Sequence, residues 1–293
     1  MGATNSEEQG HLRVQNVRSS DTSCCMTGNN GVAAVTGAAR GLGAAYARAL
    51  ASRNYDLFLT DRDSEALRML ARELQQSAPV RVEATVADLT QDADIERIQA
   101  HLGTMDDLSL LINNAGFGTF SLFHEADLSR QLDMVHVHVL ATIRFCHAVL
   151  PWMITRKAGG IINVASAAAF MRFPENATYT GTKSFLVAFT ECLAIELVNT
   201  GVSVQAFCPA WVRTSFFNAA EDPRQSGHRS PLVDCFFIPA EQAVASSLQA
   251  MGRTKVAYTP TIKARLATSL VGSPLGLAAL ARIRERRGRR GTS

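Results

Sequence analysis

The sequence predicts an α/β domain, a doubly wound parallel sheet with helices on both faces. Three observations predict it. Short β-branched or apolar runs alternate with helical patterns from Gly31 to about residue 260. A glycine cluster follows the first apolar run, where a strand would hand over to a helix. No internal repeat and no linker interrupts the stretch. Strand, helix, strand at this spacing means right-handed crossovers, and those make neighbouring strands parallel.

In chain order, residues 1–30 are rich in Ser, Thr, Asn and Glu, lack periodicity, and read as a flexible N-terminal extension. The expected strands are Val32–Thr36, Asp56–Thr60, Val80–Val86, Leu108–Asn113, Gly160–Ala165 and Val202–Cys208, with a weaker seventh at Lys255–Tyr258. Between them lie expected helices Leu42–Arg53, Ser64–Gln76, Asp92–His101, Leu128–Thr155, Ala177–Asn199 and Ala240–Met251. Residues 31–260 therefore read as one domain. Residues 261–293 read as a C-terminal extension, apolar from Leu266 to Leu280 and then basic from Arg282 to Arg290. A solvated tail is the simpler reading of that run; contact with a membrane or an anionic partner is the other.

Composition narrows the function. Of 293 residues, 47% are hydrophobic and 19% charged, which suits a chain with a sizeable core. The net charge is only +3, so no global field draws the fold to nucleic acid. Six cysteines occur, at 24, 25, 146, 192, 208 and 235, with no C-x-x-C pair, so no zinc or thioredoxin-type site is indicated and no metal is expected. That usage suits a reducing cytosol. The first thirty residues hold no apolar signal core, and no uninterrupted apolar run reads as long enough to span a bilayer. The expectation is a cytoplasmic protein.

The segment Thr36-Gly37-Ala38-Ala39-Arg40-Gly41-Leu42-Gly43 opens the first helix. Glycines there let the backbone turn tightly and approach a pyrophosphate, and the helix N-terminus offers free N–H groups. Asp61 ends the second strand, eighteen residues after Gly43. A carboxylate at that point accepts from ribose hydroxyls and repels a 2′-phosphate, which favours NAD(H). Arg40 and Arg62 pull the other way, since two guanidinium groups can hold a phosphate, so NADP(H) stays open. Asp88, with Leu89 after it, follows the third strand. It is placed either to meet the adenine edge or to cap the turn into the next helix.

Ser166 ends the fifth strand, and Tyr179 and Lys183 lie four apart on one face of the helix that follows. A lysine cation beside a tyrosine favours phenolate, so the pair can exchange a proton near neutral pH. Ser166 can donate a hydrogen bond to a substrate oxygen. A Tyr and Lys at helical spacing are commonly mere surface neighbours; their occurrence together with the glycine loop is what carries weight.

With these landmarks, and with Asn113-Asn114-Ala115-Gly116, Pro209 and Thr214, the chain resembles the short-chain dehydrogenase/reductase family over roughly residues 31–260. The resemblance implies a Rossmann fold with a seven-stranded sheet. It implies that Tyr179 is the general acid/base and that Lys183 also holds the nicotinamide ribose. Asn113 to Gly116 would border the cofactor and stabilise the sheet, Val212 and Thr214 would hold the carboxamide, and Pro209 would belong to the cofactor site. It also implies a homodimer or homotetramer paired through the helices Leu128–Thr155 and Ala177–Asn199. Two positions depart from the family pattern. His138 stands where the family has an asparagine that supports a water chain to the lysine, thirteen residues before Pro151. A histidine there relays protons, disrupts the relay, or simply packs the helix. Ala210 replaces the glycine usual after Pro209.

By position, Phe117, Ala168, Phe170, Met171, Trp211, Phe216 and Phe217 line the substrate side, an apolar and aromatic set suited to a hydrophobic ketone or alcohol. The leading expectation is reversible carbonyl/alcohol oxidoreduction. Non-redox dehydration or ring closure on the same scaffold, and a redox-silent cofactor-binding protein, are the alternatives.

Overall fold

The computed structural model describes residues 30–172, 174–213, 237–253, 255–261 and 263. Strand β1 (Val32–Thr36) sends Ala33 and Val35 into one core and Ala34 into the other, all at most 1% exposed. The same alternation recurs in β2 (Asp56–Asp61), with Leu57 and Leu59 on one face and Phe58 on the other. Both faces of the sheet are therefore covered, which is why these segments read as unbroken apolar runs.

The other strands of the main sheet are β3 (Val82–Val86), β4 (Leu108–Asn113), β5 (Gly159–Val164), β6 (Val202–Phe207) and β9 (Ala257–Tyr258). Their order is β3-β2-β1-β4-β5-β6-β9, and every pairing is parallel. On one face lie helices α1 (Gly41–Ala51), α2 (Ser64–Ser77) and α7 (Ala240–Ala250). On the other lie α3 (Asp92–Thr104), α5 (Ala141–Arg156) and α6 (Ala177–Glu196). Helix α4 (Leu128–Val135) runs into α5 through a π-helical turn at His136–Leu140. The chain leaves β1 toward β2 and β3, then returns to β4 on the other side. That reversal opens a crevice at the carboxyl ends of β1 and β4, where such folds bind ligands.

The predicted doubly wound sheet is thus present, and four details differ from expectation. The third strand starts at Val82, because the Arg81 N–H and Nε both donate to Asp56, at 2.8 and 2.6 Å, and hold the chain in the turn. The seventh strand shrinks to Ala257–Tyr258 at the sheet edge. The helix expected over Leu128–Thr155 contains the π turn, where one extra residue per turn shifts the side chains that follow. A second, two-stranded parallel sheet joins β7 (Trp211–Arg213) to β8 (Phe237–Pro239).

One helix among the described residues is long and apolar. The continuous helix Leu128–Arg156 contains an 18-residue window of mean hydropathy 1.4, long and apolar enough by those criteria to cross a bilayer. Its Val137, Ala141, Phe145, Cys146, Val149 and Met153 pack against the sheet, so that apolarity serves a core face. The expectations for residues 1–29 and 264–293 lie outside the described residues.

Candidate active site

The glycine loop is held by the strand across the crevice. The Thr36 hydroxyl accepts from the N–H groups of Asn114 and Ala115, both at 3.0 Å. The Asn114 side-chain amide donates to the carbonyls of Thr36 and Gly37, both at 2.9 Å. Gly37 has φ +61, and a Cβ there would lie 2.7 Å from the Ala115 Cα, so only glycine fits. Arg40 precedes α1 without capping it, so among the described residues no side-chain hydrogen bond covers the first-turn N–H groups of Gly41, Leu42 and Gly43. An uncapped helix start behind a tight glycine turn fits a pyrophosphate.

Asp61 stands beside this loop, but its oxygens are already engaged. One accepts from the Ala39 N–H at 2.9 Å and the other from the Asp63 N–H at 3.0 Å. Sequence reasoning passed over Asp63. One of its oxygens caps α2 by accepting from the Ala66 N–H at 3.0 Å. The other takes the Arg40 guanidinium, at 2.6 Å from Nη2 and 3.2 Å from Nε. The Ala66 bond, then Arg40, holds this carboxyl below its ordinary value. The signal for Asp63 was present, since an aspartate just before Ser64 is an N-cap residue type. Arg62 is exposed.

Asp88 accepts from the Thr90 N–H and hydroxyl, both at 3.0 Å, and so builds the turn that leads to α3. The N-cap of α3 is Gln91. Leu89 is 6% exposed and sits in the core with Ile95 and Ile98.

Tyr179 and Lys183 lie on the inner face of α6, with exposures of 8% and 3%. The Ser166 hydroxyl, at the end of β5, hydrogen-bonds the Tyr179 phenol and also accepts from the Ala168 N–H at 3.1 Å. Lys183 Nζ donates to the Val164 carbonyl at 2.9 Å and stands 5.8 Å from the Tyr179 ring centroid. The three groups, from the end of β5 and the inner face of α6, therefore meet at the carboxyl edge of the sheet. Their electrostatics differ from the sequence expectation. Burial pushes the phenol up to about 12, with the Ser166 bond acting against it. Burial pulls the Lys183 ammonium down to about 7. Lysine was expected to lower the tyrosine. Its charge is instead weakened by its own desolvation and directed at β5.

His138 is 1% exposed. Its Nε2 accepts from the Phe117 N–H at 3.2 Å, and its Nδ1 lies 2.8 Å from the Thr182 hydroxyl. Burial, and then the Lys183 charge, hold the imidazole well below its usual pKa. Asn113 turns away from the crevice. Its amide donates to Asn163 at 2.9 Å, and Asn163 donates to Thr190 at 2.9 Å. That buried ladder ties β4, β5 and α6 together; the resemblance implied a sheet-stabilising Asn113, but not its partners Asn163 and Thr190.

On the substrate side, Phe117 is half-buried, with the Arg130 guanidinium 4.3 Å from its ring centroid. Ala168 is half-buried and Phe170 is 37% exposed, whereas Met171, at 3%, is interior. The Pro209 carbonyl accepts from the Ala167 N–H at 2.9 Å. Trp211 and Val212 lie in β7, half-buried. Thr214, Phe216 and Phe217 lie outside the described residues.

Comparison with known proteins agrees with this arrangement. The short chain dehydrogenase family model matches residues 31–225. An uncharacterized oxidoreductase of Staphylococcus saprophyticus is 33% identical over 187 residues, covering 62% of this chain and 79% of that protein. The human inactive hydroxysteroid dehydrogenase-like protein 1 is 30% identical over 185 residues, covering 62% of this chain and 56% of that one, so the match spans little more than half of the human protein. Among solved structures, a short-chain dehydrogenase from Sphingobium yanoikuyae in complex with NADPH aligns with a TM-score of 0.73 and 29% identity, over 85% of this chain and 95% of that one. With the glycine loop, the parallel sheet and the Ser–Tyr–Lys cluster in place, the chain belongs to the short-chain dehydrogenase/reductase family of oxidoreductases.

Proposed function

We propose that this protein is an NAD(P)-dependent oxidoreductase that reduces a carbonyl or oxidises an alcohol on a hydrophobic substrate. The observation that carries the proposal is the meeting of the Ser166 hydroxyl with the Tyr179 phenol, with Lys183 one helical turn along and its Nζ 5.8 Å from the phenol ring centroid. When bound, the nicotinamide supplies or accepts the hydride. In the reductive direction the Tyr179 phenol gives its proton to the substrate oxygen. Ser166 donates a hydrogen bond to that oxygen or to the phenolate left behind. Lys183, which titrates near 7, holds the ribose hydroxyls of the nicotinamide half and stabilises the phenolate as an ammonium. Gly37, Gly41, Leu42 and Gly43 receive the pyrophosphate, and Asn114, Ala115, Gly116, Pro209, Val212 and Thr214 border the nicotinamide half. Asp88 and Leu89 would lie at the adenine edge. The Leu89 side chain belongs to the core.

NAD(H) is favoured over NADP(H). Asp61 places negative charge at the adenosine ribose, and the Arg40 guanidinium is drawn to Asp63. The substrate meets Phe117, Ala168, Phe170 and Trp211, and the sequence adds Phe216 and Phe217 to that apolar set. Exposed Leu128, Leu132 and Ile154 on the α4–α5 helix, and Ile195 and Val198 near the end of α6, support a homodimer or homotetramer built on those helices. Ile195→Glu, at a residue 75% exposed, is expected to lower the mass seen in light scattering. Cys146, Cys192 and Cys208 are free thiols, which supports a cytoplasmic location.

The test is a screen of hydrophobic ketones and alcohols with each nicotinamide cofactor, run on wild type and Tyr179→Phe. Turnover that vanishes in the variant, with dinucleotide affinity kept, is expected. Product formed without any change in nicotinamide absorbance would assign non-redox chemistry. Binding without turnover would place the protein with a redox-silent function, as the name of the human inactive hydroxysteroid dehydrogenase-like protein 1 says of that relative.

A further inference from the structure

His138 is a buried polar residue whose two ring nitrogens both have partners and which has no part in the chemistry above. The π turn at His136–Leu140 carries it inward. Because Nε2 accepts from the Phe117 N–H, it holds no proton. The single proton of a neutral ring is then on Nδ1, which donates to the Thr182 hydroxyl at 2.8 Å. Thr182 in turn donates to the Tyr179 carbonyl at 3.0 Å. Each donor meets one acceptor in an unbroken path from the loop after β4 to the backbone of the proposed acid/base residue.

The surroundings leave no room for another arrangement. A proton on Nε2 would face the Phe117 N–H donor to donor, on a ring that is 1% exposed. The titratable groups described around the ring are Lys183 and Tyr179, both from α6. The Tyr179 ring meets the imidazole edge-on at 5.9 Å. A Cβ on Gly116 would lie 2.7 Å from His138 Nε2 and 3.4 Å from Lys183 Nζ, so ring, loop and ammonium are packed against one another.

We propose that His138 is a positioning residue, a permanently neutral imidazole that braces the Gly116–Phe117 loop against the turn of α6 bearing Tyr179, and that it carries no proton during turnover. The proposal rests on Tyr179 as the acid/base group, but its first test does not. In the full-length protein with 15N-labelled histidine, the His138 resonances, assigned by their absence in His138→Gln, should report an Nδ1–H tautomer unchanged from about pH 5.5 to 9. An Nε2–H tautomer, or titration inside that range, overturns the proposal whatever Tyr179 does.

The second test is kinetic. Glutamine can accept from Phe117 and donate to Thr182 with one amide, so His138→Gln should keep turnover within about 3-fold. His138→Leu should lower kcat by roughly 10- to 100-fold through misplacement of Tyr179, with dinucleotide Kd within about 3-fold. Both should retain the shape of the pH–rate profile. Loss of a limb of that profile in either variant identifies a relay and overturns the proposal. So does a Gln variant as slow as the Leu variant when both melt as folded proteins. If His138→Leu does not fold, Thr182→Val removes the same bridge from the other side, and full activity in it overturns the proposal.

Discussion

Two tyrosines are buried in this domain, and they contrast sharply. Tyr46, on α1, is wholly enclosed and donates to the Ser247 hydroxyl at 2.7 Å. Ser247 donates to Gln205 at 2.6 Å, and the Gln205 amide returns a bond to the Ser247 carbonyl at 3.1 Å. This network is neutral and closed, and burial raises the Tyr46 phenol further than it raises Tyr179. Tyr179 sits at the carboxyl edge of the sheet with a hydroxyl on one side and a titrating ammonium nearby. Burial acts on both phenols in the same direction. Company and access separate a phenol that props the core from one that can move a proton.

The sharpest way to break this contrast is a pair of Phe variants. Tyr179→Phe should lower turnover by at least about 1,000-fold and change unfolding free energy by under about 1 kcal/mol. Tyr46→Phe should leave kcat within about 2-fold and cost roughly 1–2 kcal/mol in urea denaturation. Exchange of those two outcomes would reverse the assignments.

The next test is the pH dependence of stability. Lys183 has a folded value near 7, below its unfolded value, so from about pH 7 to 10 the unfolded chain binds more protons and stability rises with pH. Below about pH 7 both states are protonated and the contribution is flat. Lys183→Met should remove that rise, on the order of 1–4 kcal/mol between pH 7 and 10, in denaturant titrations of the dinucleotide-free protein. Tyr179 has the opposite sign. Its raised value makes stability fall above about pH 10, and Tyr179→Phe should remove that fall. An unchanged slope in Lys183→Met would mean that its ammonium is not desolvated.

The smallest expected effect lies at the other end of the crevice. Arg40 and Asp63 are both partly exposed, with side-chain exposures of 66% and 36%, so their pairing is worth little. Asp63→Asn should raise NADPH affinity relative to NADH by only about 3- to 10-fold in binding titrations. A wild type that already prefers NADPH would reverse the proposed cofactor preference.

How much of this was legible depends on the range of the interaction. The glycine loop and the Tyr179–Lys183 spacing are local patterns, and each stands in the element expected of it, the loop between β1 and α1 and the pair on the inner face of α6. The strands were legible because a doubly covered sheet writes its burial into runs such as Leu108–Asn113. The Arg40–Asp63 pair, the Asn113–Asn163–Thr190 ladder and the Phe117–His138–Thr182 path each join residues remote in sequence, which periodicity does not report. The π turn escaped notice because Val137-His138-Val139 reads as ordinary helix. The sign of the tyrosine shift was missed because residue spacing says nothing about desolvation, and desolvation dominates both groups.

The Asn114 amide, stitched to the carbonyls of Thr36 and Gly37, has a practical consequence for protein engineering. The two halves of the sheet are sewn at their shared border, so neither is a cassette. A foreign nucleotide loop spliced between Thr36 and Gly43 must arrive with carbonyls in the same register, or the splice frays the strand that leads to Gly116. Grafts in this fold therefore have to be cut outside residues 36–116, with both edges of the seam carried over as a single piece.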